Sequence, residues 1–219
     1  MTEEKRKKKK RKAEWLQRVE YAMYRVAAGR VRAARPDTVT RWGERLGRFG
    51  RRVLRKRDRI AMRNLRRVFP ERGDEELKTI LDDCWRHFGR QFLSYIRLQQ
   101  MPTEEALRHV QFVRKELLDE ARALDRGVIA ISAHYGSWEI AALTMMSAAP
   151  DVRTVTRRLD NAYLEKDLSE ARARSGASII DRRRAARALL KGIAEKAVLV
   201  LLPDQAVQPR EGILVPFLR

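Results

Sequence analysis

Apolar and polar positions follow different periods in the two parts of this chain of 219 residues. Before residue 126, apolar residues recur at helical spacing among many arginines, which predicts helices over 13–35, 38–68, 74–99 and 103–125. From residue 127 onward, short apolar runs alternate with helical segments. This alternation predicts strands at 128–133, 152–156, 177–180, 197–202 and 213–216, and helices at 137–148, 161–174 and 182–195.

Alternating strands and helices are typical of right-handed βαβ units. We therefore predict an α/β fold with a mostly parallel sheet flanked by helices and a basic helical region before it. The predicted organisation is a basic disordered tail over 1–12, a membrane-associating helical region over 13–125, and an α/β core over 126–219.

The composition and net charge limit the classes of partner and of protein that are consistent with this chain. The formal charge is +20, and such a field favours anionic lipid, nucleic acid or an acidic protein. A single cysteine, Cys84, excludes an internal disulfide. No apolar run reaches the length of a membrane span, and no apolar segment of a signal peptide follows the bases Lys5 to Lys12.

The first predicted helix suits two interpretations. Its apolar residues are interleaved with arginines, and it begins with Trp15 beside the basic tail. A basic amphipathic helix of this kind can lie in the interface of an anionic membrane, and it can equally be a surface helix docked on the domain.

The strongest chemical signal lies at the end of the strand predicted at 128–133. His134 follows the apolar run, Gly136 and Ser137 mark a turn, and Glu139 falls in the first turn of the next helix. Ligands of open α/β sheets bind at this edge, and an imidazole oriented by a carboxylate is a general-base arrangement. His87 and His109 lie within predicted helices, where a structural role is more common.

A second strand end supports this site. The run Val198–Leu202 leads into Pro203, Asp204 and Gln205, so a carboxylate and an amide emerge at the edge that carries His134. Arginines between the two strands, Arg157 and Arg172 among them, suit bidentate recognition of phosphate. In so arginine-rich a chain they also suit a solvated basic surface.

Several other chemistries lack their motifs. There is no GxSxG turn, no phosphate-binding loop and no dinucleotide fingerprint. Three histidines and one cysteine, far apart in sequence, do not make a usual zinc site. We therefore expect neither a metal nor a cofactor.

Together these segments resemble the lauroyl/myristoyl transferase family of lipid A biosynthesis, within the lysophospholipid acyltransferase superfamily. HYGSWE (134–139) is similar to the family's HxGNWE block, with Ser137 in place of Asn. RRLDN (157–161) is similar to RPLDN, with Arg158 in place of Pro. Asn64 with Phe69-Pro70, and Pro203-Asp204-Gln205 followed by Gly212 to Phe217, resemble two further blocks.

The resemblance implies an enzyme on the cytoplasmic face of the inner membrane. It would transfer a fatty acyl chain from acyl carrier protein to a hydroxyl of a phosphorylated lipid A precursor, without nucleic acid as a partner. It implies His134 as the general base and Glu139 as its charge-stabilising partner, and it places Arg157, Asn161, Arg172, Asp204 and Gln205 in substrate binding. Family members continue beyond Phe217, so the α/β core is expected to be incomplete.

Two alternatives stay open. One is an acyltransferase that acts on another glycolipid or an aminolipid, because the motifs specify the chemistry better than the acceptor. The other is a basic protein that binds a membrane or nucleic acid without catalysis, although this leaves His134 and Asp204 at one sheet edge without a role.

Overall fold

The computed structural model describes residues 13–156, 158–174, 178–181 and 185–205, apart from the side chains of Trp138, Glu139, Ala173, Arg174 and Asp181. The chain forms two compact units. The helical unit comprises residues 1–111 and 157–175, and the α/β unit comprises residues 112–156 and 176–219. The predicted tail, Arg157 and the strand predicted at 213–216 lie outside the described residues.

The helical unit confirms most of the predicted helices. Its elements are α1 (Glu14–Ala33), α2 (Pro36–Val53), α3 (Arg55–Val68), α4 (Asp74–Gln99), α5 (Thr103–Leu107) and α8 (Ala162–Arg174). The first helix ends before Pro36, as predicted. Pro36 is the first residue of α2, a position that suits its ring because the missing N–H has no partner in the first helical turn.

The prediction of one helix over 38–68 is wrong. The chain leaves helical geometry at Leu54, where ψ is 47°, and α3 begins at the next residue. The break brings Asp58 of α3 within 3.2 Å of the Arg51 guanidinium on α2, and Arg51 also contacts Asp82 of α4 at 3.1 Å.

Helices α2 and α4 are antiparallel and their backbones touch through glycine. A Cβ atom on Gly47 would lie 2.1 Å from the carbonyl oxygen of Trp85, and one on Gly89 would lie 2.1 Å from that of Gly43. No side chain fits such a gap, so these positions require glycine. Beside this contact, Ala28, Val31, Val39 and Ile96 form a small core between α1, α2 and α4.

The α/β unit contains the predicted sheet. Its elements are α6 (Lys115–Ala123), β1 (Val128–Ile131), α7 (Trp138–Ala148), β2 (Val152–Thr156), β3 (Ser178–Asp181), α9 (Ala185–Ala194) and β4 (Val198–Leu201). The strands are all parallel in the order β1-β4-β2-β3, as the α/β prediction requires. The single helix predicted over 103–125 is wrong, since α5 and α6 are separate and Arg114 before α6 is left-handed, with φ 59°.

Central strand β4 has helices packed on both of its faces. Val198 and Val200 pack on one face with Leu118 of α6 and Ala149 after α7. Leu199 points to the other face and contacts the backbone of Gly192 on α9, because side chains alternate along a strand. Within the described ranges, no helix has both the length and the apolar composition that a membrane span needs.

Candidate active site

Strands β1 and β4 are neighbours and end side by side. Ile131 pairs with Leu201 in the parallel register, and the Ser132 N–H extends the ladder by donating to the Leu201 carbonyl at 2.8 Å. His134 and Asp204 each follow their strand by the same number of residues. The register therefore brings the two side chains together at the carboxyl edge of the sheet, where the sequence predicts a site.

Asp204 holds His134 through two hydrogen bonds. The backbone N–H of His134 donates to Oδ2 of Asp204 at 2.8 Å, and the ring Nδ1 lies 2.8 Å from Oδ1. The two side chains are 29% and 31% exposed, so the pair is supported by its surroundings and still open to a substrate. One carboxylate thus fixes both the turn after β1 and the orientation of the imidazole.

The charge of this pair defines the tautomer of the imidazole. The hydrogen bond from His134 lowers the pKa of the Asp204 carboxyl below its ordinary value, so the carboxylate is ionised at neutral pH. An ionised carboxylate only accepts hydrogen bonds, which assigns the ring proton to Nδ1. Nε2 is then the basic nitrogen, as in a general base oriented by a carboxylate.

The turn after His134 depends on glycine. Gly136 has φ +59°, a left-handed conformation that glycine adopts without steric cost, and α7 begins two residues later. Ser137 occupies the predicted N-cap position, although its side chain makes no capping hydrogen bond. Glu139 lies in the first turn of α7 as predicted. Its side chain is outside the described residues, so its pairing with His134 stays a prediction.

Asn161 is engaged within the helical unit. It is buried, and its Oδ1 accepts hydrogen bonds from the backbone N–H groups of Tyr163 and Leu164, which caps α8. Its Nδ2 donates to the carbonyl of Gln17 at 2.9 Å and to the carboxylate of Glu20 at 3.0 Å. The side chain therefore locks α1 to α8, and direct substrate binding by this amide stays a prediction.

Gln17 is a residue that the sequence analysis missed. It is buried on α1, and its Oε1 accepts from the backbone N–H of Ala162 at 2.9 Å. A signal exists in the sequence, because Gln17 falls on the same helical stripe as Tyr21, Ala28 and Val31. The docked face of α1 is thus polar and aromatic at its start, and Tyr21 also stacks on Tyr163 of α8.

The RRLDN block borders a cavity of about 400 Å³ in the helical unit. The cavity is lined by Gln17, Arg158, Leu159, Asp160, Ala162, Glu165, Lys166 and Ser169. Arg172 is half-buried further along α8, and Gln205 is exposed beside Asp204. The structure thus pairs His134 with Asp204 in the α/β unit and places Asn161 and Arg172 in the helical unit.

Within the described residues, no three His, Cys, Asp or Glu side chains come together in the manner of a metal site. The chemistry of the edge pair is that of proton transfer. An imidazole with a basic Nε2 can accept a proton from a hydroxyl, and its ionised carboxylate partner can stabilise the imidazolium that forms.

Comparisons with known proteins agree with the motif resemblance. The chain is 24% identical over 178 residues to the lipid A biosynthesis lauroyltransferase of Escherichia coli K12, which covers 81% of this chain and 58% of that protein. It is 24% identical to the palmitoleoyltransferase of the same strain, covering 80% and 56%, and 24% identical to the myristoyltransferase, covering 79% and 54%.

The chain thus spans little more than half the length of these relatives. Residues 6–219 match the sequence model of the family described as bacterial lipid A biosynthesis acyltransferase. That match covers nearly the whole chain, and the predicted family is confirmed: the chain belongs to the bacterial lipid A biosynthesis acyltransferases.

Proposed function

We propose that the protein transfers a fatty acyl chain from acyl carrier protein to a hydroxyl of a phosphorylated lipid A precursor. The observation that carries the proposal is the His134–Asp204 pair at the carboxyl edge of a parallel sheet. Family membership supports the reaction class, and the relatives' names connect it with lipid A biosynthesis.

In this mechanism His134 acts as the general base. The acceptor hydroxyl donates its proton to Nε2 while its oxygen attacks the thioester carbonyl, forming the new C–O bond. As the C–S bond breaks, the imidazolium returns the proton to the leaving thiolate. Asp204 orients the imidazole through Nδ1, and Glu139 acts as the charge-stabilising partner of the imidazolium, as the motif resemblance implies. General-base assistance of this kind contributes about 10²–10⁴-fold in rate.

The basic residues supply the rest of the proposal. Arg157 and Arg172 are suited to the phosphates of the acceptor, and Arg158 and Lys166 place two more cations around the cavity of the RRLDN block. The +20 charge favours both partners, because acyl carrier protein is acidic and the acceptor is phosphorylated. The strand-end pattern predicts Glu139 and Gln205 at the same edge, and the motif resemblance gives Glu139 a catalytic role and Gln205 a role in substrate binding.

Transfer of a labelled acyl chain from acyl carrier protein to a lipid A precursor tests the mechanism. We expect His134→Ala and Glu139→Gln to lower turnover by at least about 100-fold, and Asp204→Asn to do the same because it removes the charge that orients Nδ1. His87→Ala, on exposed α4 surface, is the matched control. A folded His134→Ala protein with near-normal turnover contradicts the proposal.

We also propose that α1 attaches the protein to an anionic membrane surface at the cytoplasmic face of the inner membrane. Trp15, Val19, Met23 and Val26 form an exposed apolar stripe on α1, roughly opposite its buried residues Ala28 and Val31. Replacing Trp15 and Met23 by Ser is expected to weaken binding to vesicles that contain phosphatidylglycerol. Unchanged binding, or binding insensitive to salt, contradicts this attachment.

The same stripe favours the alternative of membrane binding without catalysis. The two hypotheses differ in the transfer assay: a membrane-binding protein without catalysis gives no transfer above a reaction that lacks the protein, and its His134→Ala variant behaves like the wild type.

A further inference from the structure

Helix α2 carries three parallel stripes of different chemistry. Glycines at 43, 47 and 50 face α4, and the residues just before them in sequence form an apolar stripe. One position further back is a row of exposed arginines, Arg41, Arg45, Arg48 and Arg52. Because successive residues are turned by about 100°, the apolar stripe lies between the contact with α4 and the arginine row.

Ion pairs mark one side of the contact between α2 and α4. Glu44 and Arg90 each follow the glycine at which the helices touch, and their side chains meet at 2.7 Å. Arg51 and Asp82 pair at 3.1 Å on the same side. In an antiparallel pair, residues that precede the touching glycines then lie together on the opposite side.

That opposite side is apolar, and its large side chains are exposed among the residues that the structure describes. Phe49 is 61% exposed and Phe88 is 58% exposed, large values for phenylalanines at the contact of two packed helices. We call this surface the aromatic face, and it consists of Trp42, Leu46, Phe49 and Val53 of α2 with Phe88 and Phe92 of α4.

The charge around the aromatic face indicates the kind of surface that it fits. Residues 36–68 contain twelve basic and three acidic side chains, and the arginine row runs along the border of the face. An apolar surface with Trp and Phe beside a row of cations suits the boundary between lipid headgroups and acyl chains, where aromatic rings bury and guanidinium groups meet phosphate.

We propose that the aromatic face is a second membrane-contact surface, which lies on an anionic phospholipid bilayer independently of the stripe on α1. Phe49 and Phe88 enter the interface, and the arginine row binds lipid phosphates. The glycines keep the two helices close enough to act as one surface. This proposal does not depend on the acyl-transfer chemistry, because none of its residues belongs to the site at His134.

Environment-sensitive labels at single positions test the proposal directly. The chain has one cysteine, so Cys84→Ser provides a background into which Phe49→Cys or Phe88→Cys is introduced and labelled with a nitrobenzoxadiazole dye. Vesicles of phosphatidylcholine with 30% phosphatidylglycerol are expected to shift the emission of both labels to the blue. A label at Ile131→Cys, an apolar position in the α/β unit that is more exposed than either test position, is the control and stays unshifted.

A charge series tests the arginine row. The variant R41Q/R45Q/R48Q/R52Q is expected to partition onto these vesicles about tenfold more weakly or worse. The control R108Q/R122Q/R126Q/R187Q loses the same charge at exposed positions elsewhere and should change partitioning several-fold less.

The proposal is overturned if vesicles bind the protein while the labels at 49 and 88 stay unshifted, since attachment then uses α1 alone. It is also overturned if the labels shift with protein concentration in the absence of lipid, which indicates a second copy of the chain. A shift with an acidic protein such as acyl carrier protein, but not with vesicles, overturns it too.

Discussion

The two units of this protein differ in how their helices and strands are held together. In the α/β unit, Val198, Leu199 and Val200 are buried, and the polar pair His134–Asp204 stands at the edge of the sheet. In the helical unit, glycine contacts, polar side chains and a small apolar core join the helices, while many large apolar residues of α1 and α2 face outward. One unit uses apolar residues to build a platform for chemistry, and the other presents them as a surface.

This comparison predicts the largest effect in the core of the sheet. Leu199→Ala removes a fully buried side chain between β4 and α9, so we expect a loss of about 2–5 kcal/mol in the free energy of unfolding. Leu190→Ala, at an exposed position on α9, should stay within about 0.5 kcal/mol. Urea unfolding with hydrogen-exchange mass spectrometry measures both. Equal losses would contradict the difference in packing.

In the helical unit the sensitive positions should be glycines. Gly89→Ala forces a Cβ atom against the Gly43 carbonyl, and we expect it to destabilise the unit by about 1–3 kcal/mol. Gly29→Ala is the control, because α1 has open space at that position, and it should stabilise the helix by about 0.5–1 kcal/mol. A harmless Gly89→Ala would mean that the backbones of α2 and α4 are not in contact.

The hydrogen bonds of Asn161 between α1 and α8 predict a smaller loss of stability at the start of α8. Asn161→Ala removes an N-cap and its link to α1, so we expect a loss of about 0.5–2 kcal/mol and faster hydrogen exchange in both helices. Ser137→Ala also changes an N-cap residue, but that side chain makes no capping bond, so little change is expected. Faster exchange confined to α8 would show that Asn161 does not hold α1.

The smallest effect concerns acid stability in the α/β unit. Arg153 bonds to Asp151 at 2.6 Å and to Glu195 at 2.8 Å, and it lowers the pKa of both carboxyls. The stability they contribute is present above the ordinary carboxyl pKa of about 4 and is lost as the pH falls through the lowered values.

The urea midpoint should therefore fall less between about pH 5 and pH 3 in Arg153→Gln than in the wild type. Arg122→Gln, a substitution of an exposed arginine on α6, serves as the control for the change in net charge. If the urea midpoints of wild type and Arg153→Gln fell in parallel with pH, the ion pairs would not contribute to the loss of stability in acid.

The sequence predicts the positions of the strands better than it predicts which face of each helix is buried. Apolar runs such as Val198–Leu201 allow few alternatives to a buried parallel strand, so all four described strands lie where the pattern predicts. Helical spacing, in contrast, gives the stripe Trp15, Val19, Met23 and Val26 without saying whether it is buried. The structure buries the opposite stripe, with Gln17 and Ala28, because polar partners on α8 satisfy Gln17.

The sequence predicts the location of the site but not its contacts. The strand ends indicate that His134 and Asp204 share an edge, but strand order is not written in local sequence. The hydrogen bonds between them follow from β1 and β4 being neighbours. The break at Leu54 and the left-handed Arg114 escape periodicity, because each depends on a single residue's torsion angles.

The register of β1 with β4 also has a consequence for biosynthesis. His134 leaves the ribosome 70 residues before Asp204, and the two meet only after the sheet has accepted β4 in its centre. Until that insertion the imidazole has no carboxylate at Nδ1, so a nascent or partly folded chain lacks an oriented base. Competence for proton transfer should thus appear late and all at once, and it would report that this long-range strand pairing is complete.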